Sequence, residues 1–190
     1  MRRIVKTPPK LMFLCGKMAA GKSTLARDLA ERHSAVLVVQ DEFLEHLFPG
    51  EITNMAEFFD RSSRLRNALM PHICMLLSRG TSVVLDFPGN TKAQRTWFRE
   101  MFERARVKHE LHYLDVSDAL CKRQLSQRSK HLPAGTPWTT EAEFEAVTAY
   151  FSLRQQRKGS PSSVMSAVDV GVDETCRRIL MLHRWCGSLT

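Results

Sequence analysis

Apolar residues along this chain follow two alternating patterns. Short apolar runs occupy residues 11–15 (Leu-Met-Phe-Leu-Cys), 35–39 (Ala-Val-Leu-Val-Val) and 81–86 (Thr-Ser-Val-Val-Leu-Asp), and a more mixed run covers 107–116. Unbroken runs of strand length, apolar toward both sides, read as buried parallel strands. Between them the apolar positions recur at helical spacing. Leu25, Ala26, Leu29 and Ala30 do so within 23–32. Phe58, Phe59, Leu65, Leu69, Ile73, Leu76 and Leu77 do so within 54–80, and Trp97, Phe98, Met101 and Phe102 before residue 106. Strand and helix alternate, so an α/β fold with a parallel sheet is expected.

Punctuation residues set the boundaries. Pro8-Pro9 precede the first strand, Asp41 is placed to cap a helix over 42–48, and Gly80 closes the helical stretch that begins at Asn54. Pro71 predicts a kink or a new first turn, so 54–80 is one long helix or two. Asn90-Thr91 opens the next helix, and Ser117-Asp118 caps another that carries Lys122, Arg123, Arg128 and Lys130. Residues 131–140, with Pro133, Gly135 and Pro137, read as a mobile loop. Thr140, with Glu143 three residues on, caps a helix expected over 140–157 that buries Phe144, Val147 and Phe151. A loop at 158–163, a short strand at 164–170 and a last helix at 173–185 complete the expectation.

The length of 190 residues suits a single domain, 1–190, with a core large enough to fold alone. With 43% hydrophobic and 25% charged residues the composition is that of a globular protein. No apolar run approaches the roughly 18 residues of a membrane span, and residues 11–15 are too short for a signal-peptide core, so a cytoplasmic protein with no membrane partner is expected. Five cysteines form no C-x-x-C pair, and seven histidines form no H-E-x-x-H helix. A disulfide framework and a structural metal are therefore not expected. His109 and His112 would face opposite sides of their strand. The net charge of +8 suits an enzyme that handles polyanions, ATP first and nucleic acid also, although solvated Lys and Arg side chains account for such a charge equally.

Residues 16–24, Gly-Lys-Met-Ala-Ala-Gly-Lys-Ser-Thr, give this pattern its chemistry. They match G-x-x-x-x-G-K-[ST] at every fixed position, between a predicted strand and a predicted helix. In such a loop the backbone of Gly16, Lys17, Met18, Ala19, Ala20 and Gly21 curls its N–H groups toward phosphate oxygens. Lys22 places a charge near the β and γ phosphates, Ser23 offers a hydroxyl to Mg²⁺, and Thr24 continues into the helix, whose N-terminus adds its dipole. A dinucleotide-binding turn is excluded because Met18 stands where G-x-G-x-x-G needs its second glycine.

Two acidic residues end the next strands. Asp41 follows the second, at the edge where open α/β sheets bind ligands, and is a candidate base for a hydroxyl acceptor; capping its own helix is its other role. Asp86 ends the third and is placed to hold Mg²⁺ through water, or to serve as a buried salt-bridge partner. Arg61, Arg64 and Arg66 cluster on the long helix, as an anion site for the acceptor or as a solvated face. Arg123 and Arg128, five residues apart, both reach a bound nucleotide only if their helix ends or bends near Ser126. A basic helix end followed by a loop suits a lid, approximately residues 121–140, that closes over ATP; a solvated basic helix and an ordinary loop is the plainer alternative.

Taken together these residues resemble the small P-loop kinases of the nucleotide-kinase-like class, in particular the set that includes polynucleotide 5′-kinase domains, zeta toxins and chloramphenicol phosphotransferase. The likeness covers about residues 11–151. It rests on the loop at 16–24, on Asp41, on Val-Val-Leu-Asp86 followed by Asn90-Thr91 and Arg95, and on Arg123 with Arg128. The bulky Phe87-Pro88-Gly89 and the stretch 160–172 depart from it. The resemblance implies a doubly wound parallel β-sheet with a helical lid, ATP with Mg²⁺, and phosphoryl transfer to a hydroxyl. It also implies that Asp41 is the base, that Lys22 and Ser23 serve phosphate and metal, that Arg123 lies against adenine and that Arg128 is the lid arginine. The acceptor, a small molecule or a nucleic-acid end, is not named by it. An NTP-driven binding switch without a phosphorylated product is the competing function, and a nucleic-acid-binding module is suggested by charge alone.

Overall fold

The computed structural model describes residues 7–132, 136 and 139–150. The strand expected at 164–170, the helix at 173–185, the loop at 158–163 and Phe151 lie outside them. Four strands, β1 (Lys10–Gly16), β2 (Val36–Val39), β3 (Val83–Asp86) and β4 (Lys108–Leu114), form one sheet in the order β2-β3-β1-β4. All neighbours are parallel, with Leu11 opposite Val83 and His109, and Val39 opposite Asp86. The helices are α1 (Lys22–His33), α2 (Gln40–Leu47), α3 (Met55–Ser78), α4 (Lys92–Ala105), α5 (Asp118–Ser129) and α6 (Glu141–Ala149).

Alternation along the central strand decides which helix lies where. Leu11 and Phe13 of β1, with Val83 and Leu85 of β3, pack against Met70, Ile73 and Leu77 of α3 and Trp97, Phe98 and Met101 of α4. Met12, Leu14 and Val84 point the other way, onto Ala26 and Leu29 of α1. A sheet covered on both faces forces its central strands to be apolar on both, which is why residues 11–15 and 83–85 carry no polar side chain. The fold is a doubly wound parallel sheet, as expected. On β4 the two histidines face opposite sides, as expected: His112 is buried, while His109 stacks on Phe102 with ring centroids 3.7 Å apart.

Several boundaries differ from the expectation. The second helix begins at Gln40, with Val39 as its N-cap, so Asp41 lies in the first turn and does not cap. Its side chain is thereby released to the cleft. Pro71 does not begin a new helix: α3 runs unbroken over 24 residues because its stripe of Leu65, Met70, Ile73 and Leu77 is buried on both sides of the proline. The fifth helix continues to Ser129, with no end near Ser126. Caps at Thr91, Ser117 and Thr140 match the expectation, the last closing a full capping box with Glu143, and Asn54, where the long helix was expected to begin, caps it.

Phe98 is fully buried, stacks on Phe13 at 4.4 Å and meets the tilted Trp97 ring at 5.3 Å, joining α4 to the central strand. Phe98→Ala should lower unfolding stability by about 3–5 kcal/mol, measured by denaturant titration with ATP-site ligands absent. A loss under about 1 kcal/mol would show that this contact does not anchor the helix.

Candidate active site

The chain leaves the core at the C-terminal end of β1, where the strand order reverses. Two features give the exit loop its shape. Ala19 and Gly21 take left-handed backbone angles, φ 58° and 91°, which turn the chain back toward the sheet. Gly16 lies so close to β4 that a Cβ there would stand 2.9 Å from the Leu114 carbonyl oxygen. The Gly16 N–H donates to Asn90 Oδ1 at 3.0 Å, fastening the loop to the chain beyond β3. Gly21 is the N-cap of α1 and supplies no side-chain acceptor, so the first N–H groups of the helix are left for a ligand in the loop mouth. Ser23 and Thr24 lie exposed in that first turn.

The Lys22 ammonium folds back over the loop, donating to the Gly16 carbonyl at 2.9 Å and the Lys17 carbonyl at 2.7 Å. Burial pulls its pKa down, opposed by the nearby charges of Asp86, Cys15 and Asp41. A phosphate would replace two neutral carbonyls by charged oxygens, a stronger partner for a partly desolvated ammonium. Lys17 pairs with Asp118 in the first turn of α5, with its Nζ 3.5 Å from the Val116 carbonyl oxygen. Ala20 packs on Cys121, Leu125 and Phe144. The loop is thus braced against α5 and α6 as well as the sheet.

The pairing of Val39 with Asp86 sets the ends of β2 and β3 side by side, and Asp41 follows two residues on. Water reaches Asp41 in the open cleft, but the protein around it raises its pKa above the usual carboxylate range, and the Asp86 charge adds to that. Lys22 and Arg128 pull in the opposite direction. Four predicted residues therefore meet here: Asp41, Asp86, Lys22 and Arg128. Arg123 does not share that placement. Five residues along an unbroken helix turn the side chain by about 140°, and Arg123 lies exposed elsewhere on α5.

Three supporting residues take parts that the sequence does not spell out. Asn90, which opens a helix in the sequence pattern and carries part of the family resemblance, holds the phosphate-binding loop through its Oδ1. Arg95 donates to the Gly89 carbonyl at 3.0 Å, and its charge acts on the buried Cys15 thiol, whose pKa burial raises and Arg95 lowers. Gln40, immediately before Asp41, is fully buried, and neither end of its amide has a partner among the described residues. A polar residue at a helix start reads as surface in sequence, so no periodicity signal could have found it.

The chain matches an AAA domain family over residues 11–153, three quarters of its length, and belongs to that P-loop, kinase-like family. No curated protein sequence matches it. Among solved structures it is similar to a candidate kinase of Chloroflexus aurantiacus, at a TM-score of 0.64 and 17% identity over 95% of this chain and 100% of that one. Chaetomium thermophilum Kti12 in complex with ADP-AlF3 matches at 0.58 and 18% identity, covering 92% and 97%. The Mycobacterium tuberculosis APS kinase CysC with AMPPNP and APS matches at 0.56 and 22%, covering 93% and 98%. Likeness at such identities establishes the fold. Among the described residues no helix is long and apolar enough to cross a membrane.

The electrostatics of the acidic pair can be checked directly. Asp41 should titrate above the ordinary carboxylate value in ligand-free protein, and Asp86→Asn should lower its pKa by removing a like charge. Carboxyl-carbon NMR titration reads both. An Asp41 that titrates normally, or does not respond to the Asp86 change, would separate the two groups.

Proposed function

We propose that this protein is an ATP-dependent kinase that moves the γ-phosphoryl group of ATP to the hydroxyl of an acceptor. The observation that carries the reading is the meeting of Asp41 and Asp86 with Lys22 and Arg128 at the mouth of the phosphate-binding loop. A structural ion network would neutralise its carboxylates; here one is left with a raised pKa in an open cleft, as a proton acceptor needs. The related folds carrying ADP-AlF3 and AMPPNP support a nucleotide at this loop.

In this reading the acceptor oxygen attacks the γ phosphorus, the bond from that phosphorus to the β-bridging oxygen breaks, and ADP leaves. The hydroxyl proton passes to the Asp41 carboxylate. Lys22 and the loop N–H groups of residues 16–22 hold the β and γ phosphates, and Arg128 approaches the transferring group from the end of α5. The Ser23 hydroxyl and Asp86 carboxylate are hard oxygen donors that suit Mg²⁺, which would neutralise phosphate charge when bound. We assign the chain to the polynucleotide 5′-kinase, zeta toxin and chloramphenicol phosphotransferase group. The unbroken α5 that brings Arg128 to Asp41 turns Arg123 away, however, so the adenine contact that group implies for Arg123 is not part of this reading. Residues 121–140 would act as the lid.

Asp41→Asn should keep ATP binding, fold at least as stably because a disfavoured charge is gone, and lose at least about a hundredfold in transfer. Turnover equal to the parent would remove Asp41 as the base. Lys22→Ala should weaken both ATP binding and transfer, and unaltered values for both would overturn the nucleotide assignment. Labelled ATP separates the two functions: a kinase yields a labelled acceptor, whereas a binding switch yields inorganic phosphate alone.

A further inference from the structure

The long helix α3 carries its buried positions on one stripe, and that stripe changes character along its length. Met70, Ile73 and Leu77 lie against the sheet in the main core. Continued toward the N-terminus at the same helical spacing, the stripe reads Arg66, with the buried Leu65 beside it, then Ser62 and Phe59. Arg66 therefore occupies a core-facing position, yet it is only half-buried. An arginine that points inward and still meets water lines a cleft.

Helix geometry places that cleft. The chain passes from the end of α3 at Ser78 into β3 at Val83, so the C-terminus of α3 lies at the N-terminal edge of the sheet. From Leu77 back to Arg66 the helix rises about 16 Å. The strand from Val83 to Asp86 covers only about 10 Å in the same direction. Arg66 is thus carried past the C-terminal edge of β3, to the end of the sheet where Asp41, Asp86 and the phosphate-binding loop lie.

The three arginines of this helix are not equivalent. Arg61 pairs with Glu51 and Asp60, each at 3.3 Å, and its guanidinium lies over the Phe48 ring at 4.9 Å. Arg64 pairs with Asp60 at 3.1 Å on the solvent side. Arg66 has no carboxylate partner among the described residues. Burial lowers its pKa with no compensating charge. One turn before it, the buried Ser62 hydroxyl also lacks a partner among the described residues. Two turns before it, Phe59 is 37% exposed and meets the Tyr150 ring, just beyond α6, edge-on at 5.5 Å. An unpaired guanidinium on an apolar stripe destabilises the empty protein, a cost that an anion bound there would offset.

We propose that Arg66 is the acceptor-binding arginine and that the acceptor is an anionic alcohol, a hydroxyl compound whose carboxylate or phosphate pairs with this guanidinium. The Phe59–Tyr150 ring pair lies two helical turns before Arg66 on the same face of α3. The inference rests on the phosphotransfer reading for the word acceptor, while the anion site itself stands on the placement of Arg66.

The test measures binding without requiring turnover. Protein saturated with AMPPNP, so that the phosphate-binding loop is filled, is titrated calorimetrically with matched probes: sorbitol, gluconate and sorbitol 6-phosphate, and adenosine against adenosine 3′-monophosphate. The charged members should bind at least about tenfold more tightly than their neutral partners, as for a charge-assisted hydrogen bond. Arg66→Ala should abolish that preference while leaving AMPPNP affinity intact, and Arg66→Lys should restore part of it. Comparison of the carboxylate and phosphate members identifies which anion the site takes. Arg66→Leu should raise the melting temperature of the ligand-free protein, because it extends the apolar stripe. Equal binding of charged and neutral probes, or a preference that survives in Arg66→Ala, would overturn the proposal. Labelled transfer from ATP reports separately: an Arg66-dependent anion preference without any phosphorylated acceptor would sink the kinase reading and leave the anion site standing.

Discussion

The steric closeness of Gly16 to β4 constrains everything at the nucleotide end of this molecule. A fully buried central strand must release its chain into a tight loop at the sheet edge, and the Leu114 carbonyl lies where any side chain at position 16 would begin. The glycine is demanded by the neighbouring strand as much as by a ligand. With the strand exit fixed in this way, the Gly16 N–H can meet Asn90, Lys22 can fold across the loop, and α1 begins with its N-terminal amides uncovered. A second glycine plays a similar part beyond β3: a Cβ on Gly89 would stand 2.6 Å from the Leu14 carbonyl oxygen, so this segment also lies directly on the central strand. The bulk of Phe87-Pro88-Gly89 is thus a packing feature, with Phe87 buried against Trp97 at 5.3 Å.

Charge at the sheet edge follows from this geometry. Parallel strands end at the same level, so acidic residues that terminate β2 and β3 are brought together whether or not the folded state gains by it. Asp41 bears the consequence: protein around it and Asp86 beside it both disfavour its charge, and two cations partly restore it. The same conflict recurs on α3, where Arg66 holds a position that stability alone would assign to an apolar residue. Two disfavoured charges of opposite sign, one on α2 and one on α3, are placements that the stability of the empty fold does not explain.

Much of the architecture was legible in the chain because it depends on local rules. The four strands of the described residues, the helical periodicity and the helix starts at Asn54, Thr91, Ser117 and Thr140 appear where the pattern places them, while several other helix bounds shift. Where the pattern left two readings, packing chose between them. Pro71 allowed one long helix or two, and burial on both sides of it outweighs one lost backbone hydrogen bond. Asp41 could cap its helix or serve as a base, and because the helix starts a residue earlier it does not cap. Arg123 and Arg128 invited a bend near Ser126 that α5 does not make, which leaves Arg128 alone in reach of Asp41.

By itself, then, the sequence determined the phosphate-binding loop, the alternation of strand and helix, and the acidic strand ends, because each is written in contiguous residues with fixed spacing. The tertiary structure decided which charges meet. It placed β3 between β1 and β2, joined Asn90 to Gly16 across 74 positions of chain, and neutralised Arg61 and Arg64 while leaving Arg66 without an acidic partner among the described residues. The reason is one of range. Periodicity and capping act over a few residues and survive in any sequence reading, whereas ion pairing and desolvation depend on distances between segments that only packing sets.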